Sequence, residues 1–158
     1  MTEGGITVSR AVPEQAAAIA ALVDRLLREM GGGPSGLDQE TARDQCRAWL
    51  RGDPGYAAFV ACDAEGTPVG LVSVYDLAVL YVGGRMGVIS ELYVEPAYRR
   101  RGLGKRLMRA VYAFGRERAW RRIEVSAPEV EEQPGTVAFY EAEGFWLKGP
   151  LMARRLER

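Results

Sequence analysis

Apolar residues recur along the chain with two different periods, and the change of period marks the predicted elements. From Ile19 to Met30 an apolar residue returns every three or four positions, which predicts a helix that starts near Pro13 and is stopped by Gly31. Residues 38–51 repeat this helical pattern. A period of two, typical of strands, follows over residues 56–63, 69–82 and 87–94.

The remaining segments predict further elements of both kinds. A short first strand is expected at residues 6–12, a helix from near Gly102, a strand at 122–127 and a short helix at 136–143. Two weak strands are expected near residues 145–147 and 151–156. This order predicts a single α/β (α+β) domain over residues 1–158, with a mixed, mostly antiparallel sheet of six to seven strands flanked by about four helices.

Composition narrows the class of protein. The chain has 158 residues, 47% hydrophobic and 27% charged, and no apolar run approaches the ~20 residues of a membrane span. The first residues lack an export signal pattern, so we expect a cytoplasmic protein. Histidine is absent, which excludes histidine zinc sites and Ser-His-Asp triads, and we expect no metal. Cys46 and Cys62 fall in apolar patterns and are interpreted as small buried side chains.

The formal net charge is zero, but the basic residues are concentrated in one region. Residues 99–122 hold ten lysines or arginines and a single acid, Glu117. A protein that coats a polyanion is usually basic overall. This distribution therefore favours a local anion site, which we place in the stretch "YRRRGLGKRLMR".

That stretch lies between a predicted strand and a predicted helix. Backbone N–H groups at a helix start point outward at the positive end of the helix dipole, so they bind anions, and glycines let a phosphate approach. A P-loop would need Ser or Thr where Arg106 stands, and a dinucleotide fingerprint would need glycine at Leu107. The pattern that fits is R-x-x-G-x-G, with Arg99, Gly102 and Gly104.

With this loop, the stretches "ISELYVEPAYRRRGLGKRLM" and "TVAFYEAEGF" make the chain resemble the GNAT-type N-acetyltransferase superfamily. The likeness covers the order of elements from about Ile6 to Leu156. It implies direct transfer of acetyl from acetyl-CoA to a primary amine. This chain departs from the family pattern just before "FY", where Gln133 and Thr136 stand in place of the Asn and Ala of many relatives.

The resemblance implies a set of cofactor-binding residues. The pyrophosphate of acetyl-CoA would rest on the backbone of Arg101, Gly102, Leu103, Gly104 and Lys105, with Arg99 and Arg100 positioning the loop and nearby phosphates. The pantetheine arm would bind the exposed strand edge at Leu92, Tyr93 and Val94. Tyr140 matches the tyrosine that donates a proton to the departing thiolate, and its alternative role is that of a core aromatic residue.

Glu91 is the candidate general base. Strand alternation predicts that it shares a face with Ile89 and Tyr93, in mostly apolar surroundings that would raise the pKa of its carboxyl toward the working range of a base. Relatives with a glutamate at this point often use it to take the amine proton. The alternatives for Glu91 are an ion pair with an arginine or a solvent-facing edge.

The acceptor is predicted only as an amine of a small molecule or peptide. No nucleic acid and no membrane partner is expected, and a homodimer stays open. Two other classes of function also stay open: an acyl-CoA-binding module without turnover, and a nucleic-acid binder that uses residues 99–122 as a phosphate stripe, whose affinity should depend steeply on salt.

Overall fold

The computed structural model describes residues 4–157, which form both strands and helices. The strands are β1 Thr7–Arg10, β2 Tyr56–Cys62, β3 Pro68–Val79, β4 Gly84–Val94 and β5 Trp120–Val125. The α-helices are α1 Ala16–Gly31, α2 Gln39–Gly52, α3 Leu103–Glu117 and α4 Pro134–Ala142. Pro13–Gln15 forms a 3-10 turn ahead of α1. The predicted four helices and α+β class are confirmed.

The strands form one sheet in the order β1-β2-β3-β4-β5, with the first four strands antiparallel. Trp120, the first residue of β5, lies against Gly87 near the start of β4. A Cβ atom on Gly87 would be 2.2 Å from the Trp120 ring, so the ring covers this glycine directly. Helix α3 connects the two strands along the chain, and a helical connection of this kind is the usual link between parallel strands. The sheet is mixed and mostly antiparallel, as predicted.

The predicted strand count is wrong. Within residues 4–157 the sheet has five strands, and residues 145–157 form neither helix nor strand. Large apolar residues in this stretch are mostly adjacent, as in Phe145-Trp146-Leu147 and Leu151-Met152, and Trp146, Leu147, Leu151 and Met152 are exposed. A strand that buries one face needs alternation, which such adjacent residues do not supply.

Helices cover both faces of the sheet. On one face, α1 and α2 pack through Ile19, Leu22 and Cys46 against a cluster that includes Val60 and Leu71. On the other, α3 packs against β2 and β5, where Phe114 contacts the rings of Phe59 and Trp120 at centroid distances of 5.8 and 5.4 Å. Strand β4, which carries Glu91, belongs to the sheet between these two groups of helices.

The chain divides into two compact units, Met1–Glu124 and Val125–Arg158. The first contains the sheet up to β5 together with α1, α2 and α3. The second contains α4 and the stretch that follows it. The predicted basic loop and Glu91 belong to the first unit, and Tyr140 belongs to the second.

Candidate active site

The loop between β4 and α3 has a defined backbone path. Pro96–Tyr98 form a 3-10 turn, Arg99 is extended, and both Arg100 and Gly102 are left-handed, with φ of 61° and 74°. Glycine adopts this conformation without steric cost, whereas a residue with a Cβ pays roughly 1–2 kcal/mol. The strained Arg100 indicates that the surrounding contacts hold the loop in this shape.

The first turn of α3 begins directly after Gly102. The first helical hydrogen bond runs from the Arg106 N–H to the Gly102 carbonyl at 3.1 Å, so the N–H groups of Leu103 and Gly104 precede the helical ladder. A Cβ atom at Gly102 would meet nothing within 4 Å, which leaves room for an incoming group. These amides and the helix dipole make this end of α3 suited to a phosphate.

Arg99 is engaged with the protein itself. Its guanidinium donates to the Val94 carbonyl at 2.8 Å and to both Glu29 carboxylate oxygens at 2.7 Å. It also lies over the Tyr93 ring at 5.5 Å. Arg99 thus ties the loop to the end of β4 and to α1, and this arrangement agrees with the loop-positioning role that the resemblance implies.

Other basic residues of the 99–122 region also have acceptors within the protein. Arg106 donates to the Ile6 carbonyl at 2.8 Å, Arg118 pairs with Asp76, and Arg122 pairs with Glu124 at 3.3 Å. Arg101 lies over the Tyr98 ring at 5.9 Å. Much of the predicted phosphate stripe is therefore used in internal contacts, which disfavours a nucleic-acid interface.

Glu91 lies on a different face from the one that simple alternation predicts. The pairing of β3 with β4 slips by one residue, so that Val74 faces Ile89 whereas its neighbour Ser73 faces Glu91. Directly opposed residues share a face, and successive residues of β3 point to opposite faces. Glu91 therefore shares its face with Tyr93 but not with Ile89, and that part of the prediction is wrong because Ser90 forms a β-bulge.

The surroundings of Glu91 are mostly apolar, as predicted. Tyr93, Leu71 and Tyr56 are buried members of the cluster on the same face. Burial raises the pKa of the Glu91 carboxyl above its ordinary value, and a hydrogen bond from Ser73 partly counteracts this. The pKa of the Glu91 carboxyl is therefore nearer to neutral pH than that of an exposed glutamate. A general base works best when its pKa lies near the working pH.

Sequence reasoning missed the polar side chains around Glu91. Ser73 is fully buried and its hydroxyl donates to the Glu91 carboxylate. The Tyr56 hydroxyl lies within hydrogen-bonding reach of Ser73 and of the Cys46 thiol, and burial raises the pKa of both Tyr56 and Cys46. A serine at the centre of the apolar run "GLVSVY" was the available signal, because a buried hydroxyl needs a partner.

Tyr140 is buried within the second unit. Its ring contacts those of Phe139 and Phe145 at centroid distances of 5.4 Å. Burial raises the pKa of Tyr140 to about 12, so its hydroxyl stays protonated and available as a donor at neutral pH. Within that unit, therefore, both the core role and the proton-donor role are compatible with its environment.

Residues 4–157 contain neither a membrane-spanning helix nor a cluster of metal-ligating side chains. No helix there is long and apolar enough to cross a membrane. In the same range, no group of three or more Cys, Asp or Glu side chains is arranged so that it could hold a metal ion.

Comparison with solved structures shows the same fold in proteins described as acetyltransferases or predicted acetyltransferases. An aminoglycoside acetyltransferase from an uncultured soil sample has a TM-score of 0.75 at 23% identity, covering 99% of this chain and 100% of that one. A predicted acetyltransferase from Clostridium acetobutylicum, solved with acetyl-CoA, has a TM-score of 0.79 at 17% identity, covering 95% and 96% of the two chains. At these identities the likeness establishes the fold alone.

Sequence comparison gives the family. Mycothiol acetyltransferase of Clavibacter sepedonicus is 33% identical over 101 residues, which are 64% of this chain and 29% of that protein. The chain thus spans less than a third of the length of this relative. The sequence profile of the acetyltransferase (GNAT) family matches residues 20–145, which include the basic loop, Glu91 and Tyr140. This chain belongs to the GNAT family of acetyltransferases, which confirms the predicted family and the predicted enzyme class.

Proposed function

We propose that this protein transfers acetyl from acetyl-CoA to a primary amine of a small molecule or peptide. The observation that carries the proposal is the arrangement along β4. This strand holds a partly buried acid, Glu91, and leads through a fixed loop to the exposed first turn of α3. A proton acceptor and a phosphate-binding helix end thus belong to one continuous strand-loop-helix segment.

The proposed acetyl-CoA site uses the residues that the resemblance implies, namely Leu92, Tyr93, Val94 and the loop from Arg99 to Lys105. The donors of the first turn of α3 fit a pyrophosphate, because they are backbone amides at a helix start with open space above Gly102. Arg100 and Arg101 are exposed and add positive charge around that helix end. Acetyl-CoA supplies the acetyl group as a thioester.

The proposed chemistry assigns one proton transfer to each of two side chains. An amine near neutral pH is mostly an ammonium ion and cannot attack a carbonyl until it loses a proton. Glu91 accepts that proton, directly or through a water, and the amine nitrogen then forms a bond to the acetyl carbonyl carbon. The carbon–sulfur bond breaks, and Tyr140 donates its phenolic proton to the leaving sulfur. The bonded nitrogen then releases its second proton to solvent to give the neutral amide, and the Tyr140 phenolate regains a proton from solvent.

The acceptor class follows from what a carboxylate base can do. Glu91 carries one negative charge when ionised, which attracts a cationic ammonium group and then removes its proton. An alcohol acceptor carries no charge to attract and has a far less acidic proton. We therefore propose amines as the acceptor class, with the small molecule or peptide to be identified by direct assay.

A thiol-release assay tests this function. Acetyl-CoA is incubated with the protein and a panel of polyamines, amino sugars, amino acids and peptides, and free CoA is measured alongside the mass of the acetylated product. Amine-dependent release, lost in Glu91→Gln, supports an N-acetyltransferase. Tight acetyl-CoA binding with no release for any amine would instead indicate a binding module. DNA binding at low salt would favour the phosphate-stripe alternative.

A further inference from the structure

Ser73 makes two hydrogen bonds with one residue, Glu91. Its hydroxyl donates to Glu91 Oε2, and its Oγ accepts the Glu91 backbone N–H at 3.2 Å. A serine hydroxyl has a single proton, so the acceptance from the backbone fixes the side chain while the proton points at the carboxylate. Ser73 is fully buried, which keeps bulk solvent from competing for these hydrogen bonds.

The β-bulge is what brings these two residues together. Val74 pairs with Ile89, so an unbroken register would place Ser90 opposite Ser73 and turn Glu91 to the other face of the sheet. The extra residue in β4 instead sets Glu91 opposite Ser73. The position of the Glu91 carboxylate thus depends on the β-bulge and on the hydrogen bond that the Ser73 hydroxyl donates to it.

The other titratable groups that face Glu91 are uncharged, and Ser73 donates the hydrogen bond to its carboxylate. Tyr56 of β2 and Cys46 of α2 both interact electrostatically with Glu91, and burial keeps both protonated and uncharged. Tyr56 also contacts Ser73. The groups on this side of the carboxylate are therefore neutral, and the serine hydroxyl is the group that donates to it.

We propose that Ser73 is a positioning residue for the acetyl transfer, holding the Glu91 carboxylate in one orientation so that it accepts the amine proton. This inference rests on the proposed role of Glu91 as the base. A glutamate has three rotatable side-chain bonds, and a free carboxylate would have to be ordered in each turnover. Ser73 removes that cost before substrate arrives, which is the usual benefit of a preorganised acceptor.

The same hydrogen bond also stabilises the ionised carboxylate relative to the neutral acid. Its removal should therefore raise the pKa of Glu91 further, and the acidic limb of the kcat/KM profile should move to higher pH. A purely structural serine would not move this limb. The direction of the movement therefore separates a positioning role from a packing role.

Ser73→Ala is the test, with amine kcat/KM measured across pH. We expect a loss of about tenfold to a hundredfold on the alkaline side of the limb, the worth of one hydrogen bond to a charged group, together with an upward shift of the limb. KM for acetyl-CoA should not change. Val72→Ala is the matched control, because it removes buried volume from the next position on the same strand, on the opposite face, and should leave the limb in place.

Carbon-13 NMR titration of the Glu91 carboxyl in the parent and in Ser73→Ala gives a readout independent of activity. An unchanged titration and an unchanged limb would overturn the inference, even when Glu91→Gln abolishes the limb. If Glu91→Gln keeps the limb, the base assignment fails, and the positioning role fails with it. Should Ser73→Ala not fold, Ser73→Cys replaces the hydroxyl with a weaker donor and should shift both readouts in the same direction.

Discussion

Arg99 and Glu29 form a bidentate ion pair, with both guanidinium–carboxylate distances at 2.7 Å, that fastens the basic loop to α1. Hydrogen bonds from Arg99 lower the pKa of the Glu29 carboxyl, so the pair is ionised at neutral pH. The arginine of the R-x-x-G-x-G pattern therefore holds the loop in place. Because its guanidinium is engaged by Glu29, the candidate phosphate site is the backbone of the first turn of α3.

Gly104→Asp should abolish acetyl-CoA binding. The substitution places a carboxylate in the first turn of α3, where it would occupy the phosphate position and repel a pyrophosphate. Saturating acetyl-CoA should raise the Tm of the parent by mass action but leave the Tm of the variant unchanged. Thermal shift with and without ligand measures both.

Gly33→Asp is the control for that experiment. A Cβ atom at Gly33 would meet nothing within 4 Å, and the substitution adds the same charge outside the loop, so the ligand-induced Tm shift should remain. A folded Gly104→Asp protein that binds acetyl-CoA as tightly as the parent would show that the loop assignment is wrong.

Tyr140→Phe should lower kcat with little change in KM for acetyl-CoA. The variant keeps the ring contacts with Phe139 and Phe145 and removes the hydroxyl alone. Loss of a general acid costs ~100-fold or more when proton donation limits the step. Steady-state kinetics, paired with single-turnover measurements to establish that chemistry is rate-limiting, test this. An unchanged kcat under those conditions would assign Tyr140 to the core.

Glu91→Gln should lower kcat/KM for the amine by ~100-fold or more and remove the acidic limb of the pH profile. The amide keeps the shape and can still accept a hydrogen bond from Ser73, but it cannot take a proton. Because burial raises the pKa of Glu91, the parent should lose activity as the pH falls through that raised value. A loss below about threefold, with the limb intact, would mean that the amine is deprotonated elsewhere.

The same substitution should increase stability at alkaline pH. In the folded state the pKa of the Glu91 carboxyl lies above its ordinary value of 4.5. Between these two pH values the folded state therefore binds more protons than the unfolded state. Stability of the parent therefore decreases as pH rises from the ordinary value through the folded one. Glu91→Gln lacks this loss, so its Tm should exceed that of the parent by a few degrees at pH 8, and the gap should close toward pH 4. A constant gap across pH would contradict this linkage.

Asp76→Asn should destabilise the fold without touching catalysis. The Asp76 side chain is fully buried and pairs with Arg118 and with Arg85, the latter at 2.7 Å. Burial alone would raise the pKa of Asp76, but the two arginines together lower it. We expect a loss of about 3 kcal/mol, the low end for a broken buried pair because both arginines reach solvent.

Urea denaturation across pH checks this result. The contribution of Asp76 should be complete above its ordinary pKa of 3.8 and should disappear as the pH falls through the lowered value. Asp44→Asn serves as the control, because Asp44 forms exposed ion pairs that contribute about 0–1 kcal/mol. Equal losses in the two variants would show that burial of Asp76 is not what makes its pair important.

By itself the sequence determined the helices, the mostly antiparallel sheet and the proposed anion site at the start of α3. Each depends on signals that lie within a few residues of one another, such as the apolar period of α3 or the glycine at position 102. The tertiary structure decided how the site is assembled. Arg99 meets Glu29, and Glu91 meets Ser73, only through packing of distant segments.

The bulge at Ser90 shows the physical reason. An unbroken period of two placed Glu91 on one face with Ile89 and Tyr93, and the pairing with β3 separates Ile89 from the other two. An extra residue in a strand is set by the hydrogen-bond register with a neighbour, which no local period records. Likewise, residues 145–157 contain enough apolar side chains to suggest strands, yet they form none. A strand forms only where a neighbouring strand pairs with its backbone hydrogen-bonding groups.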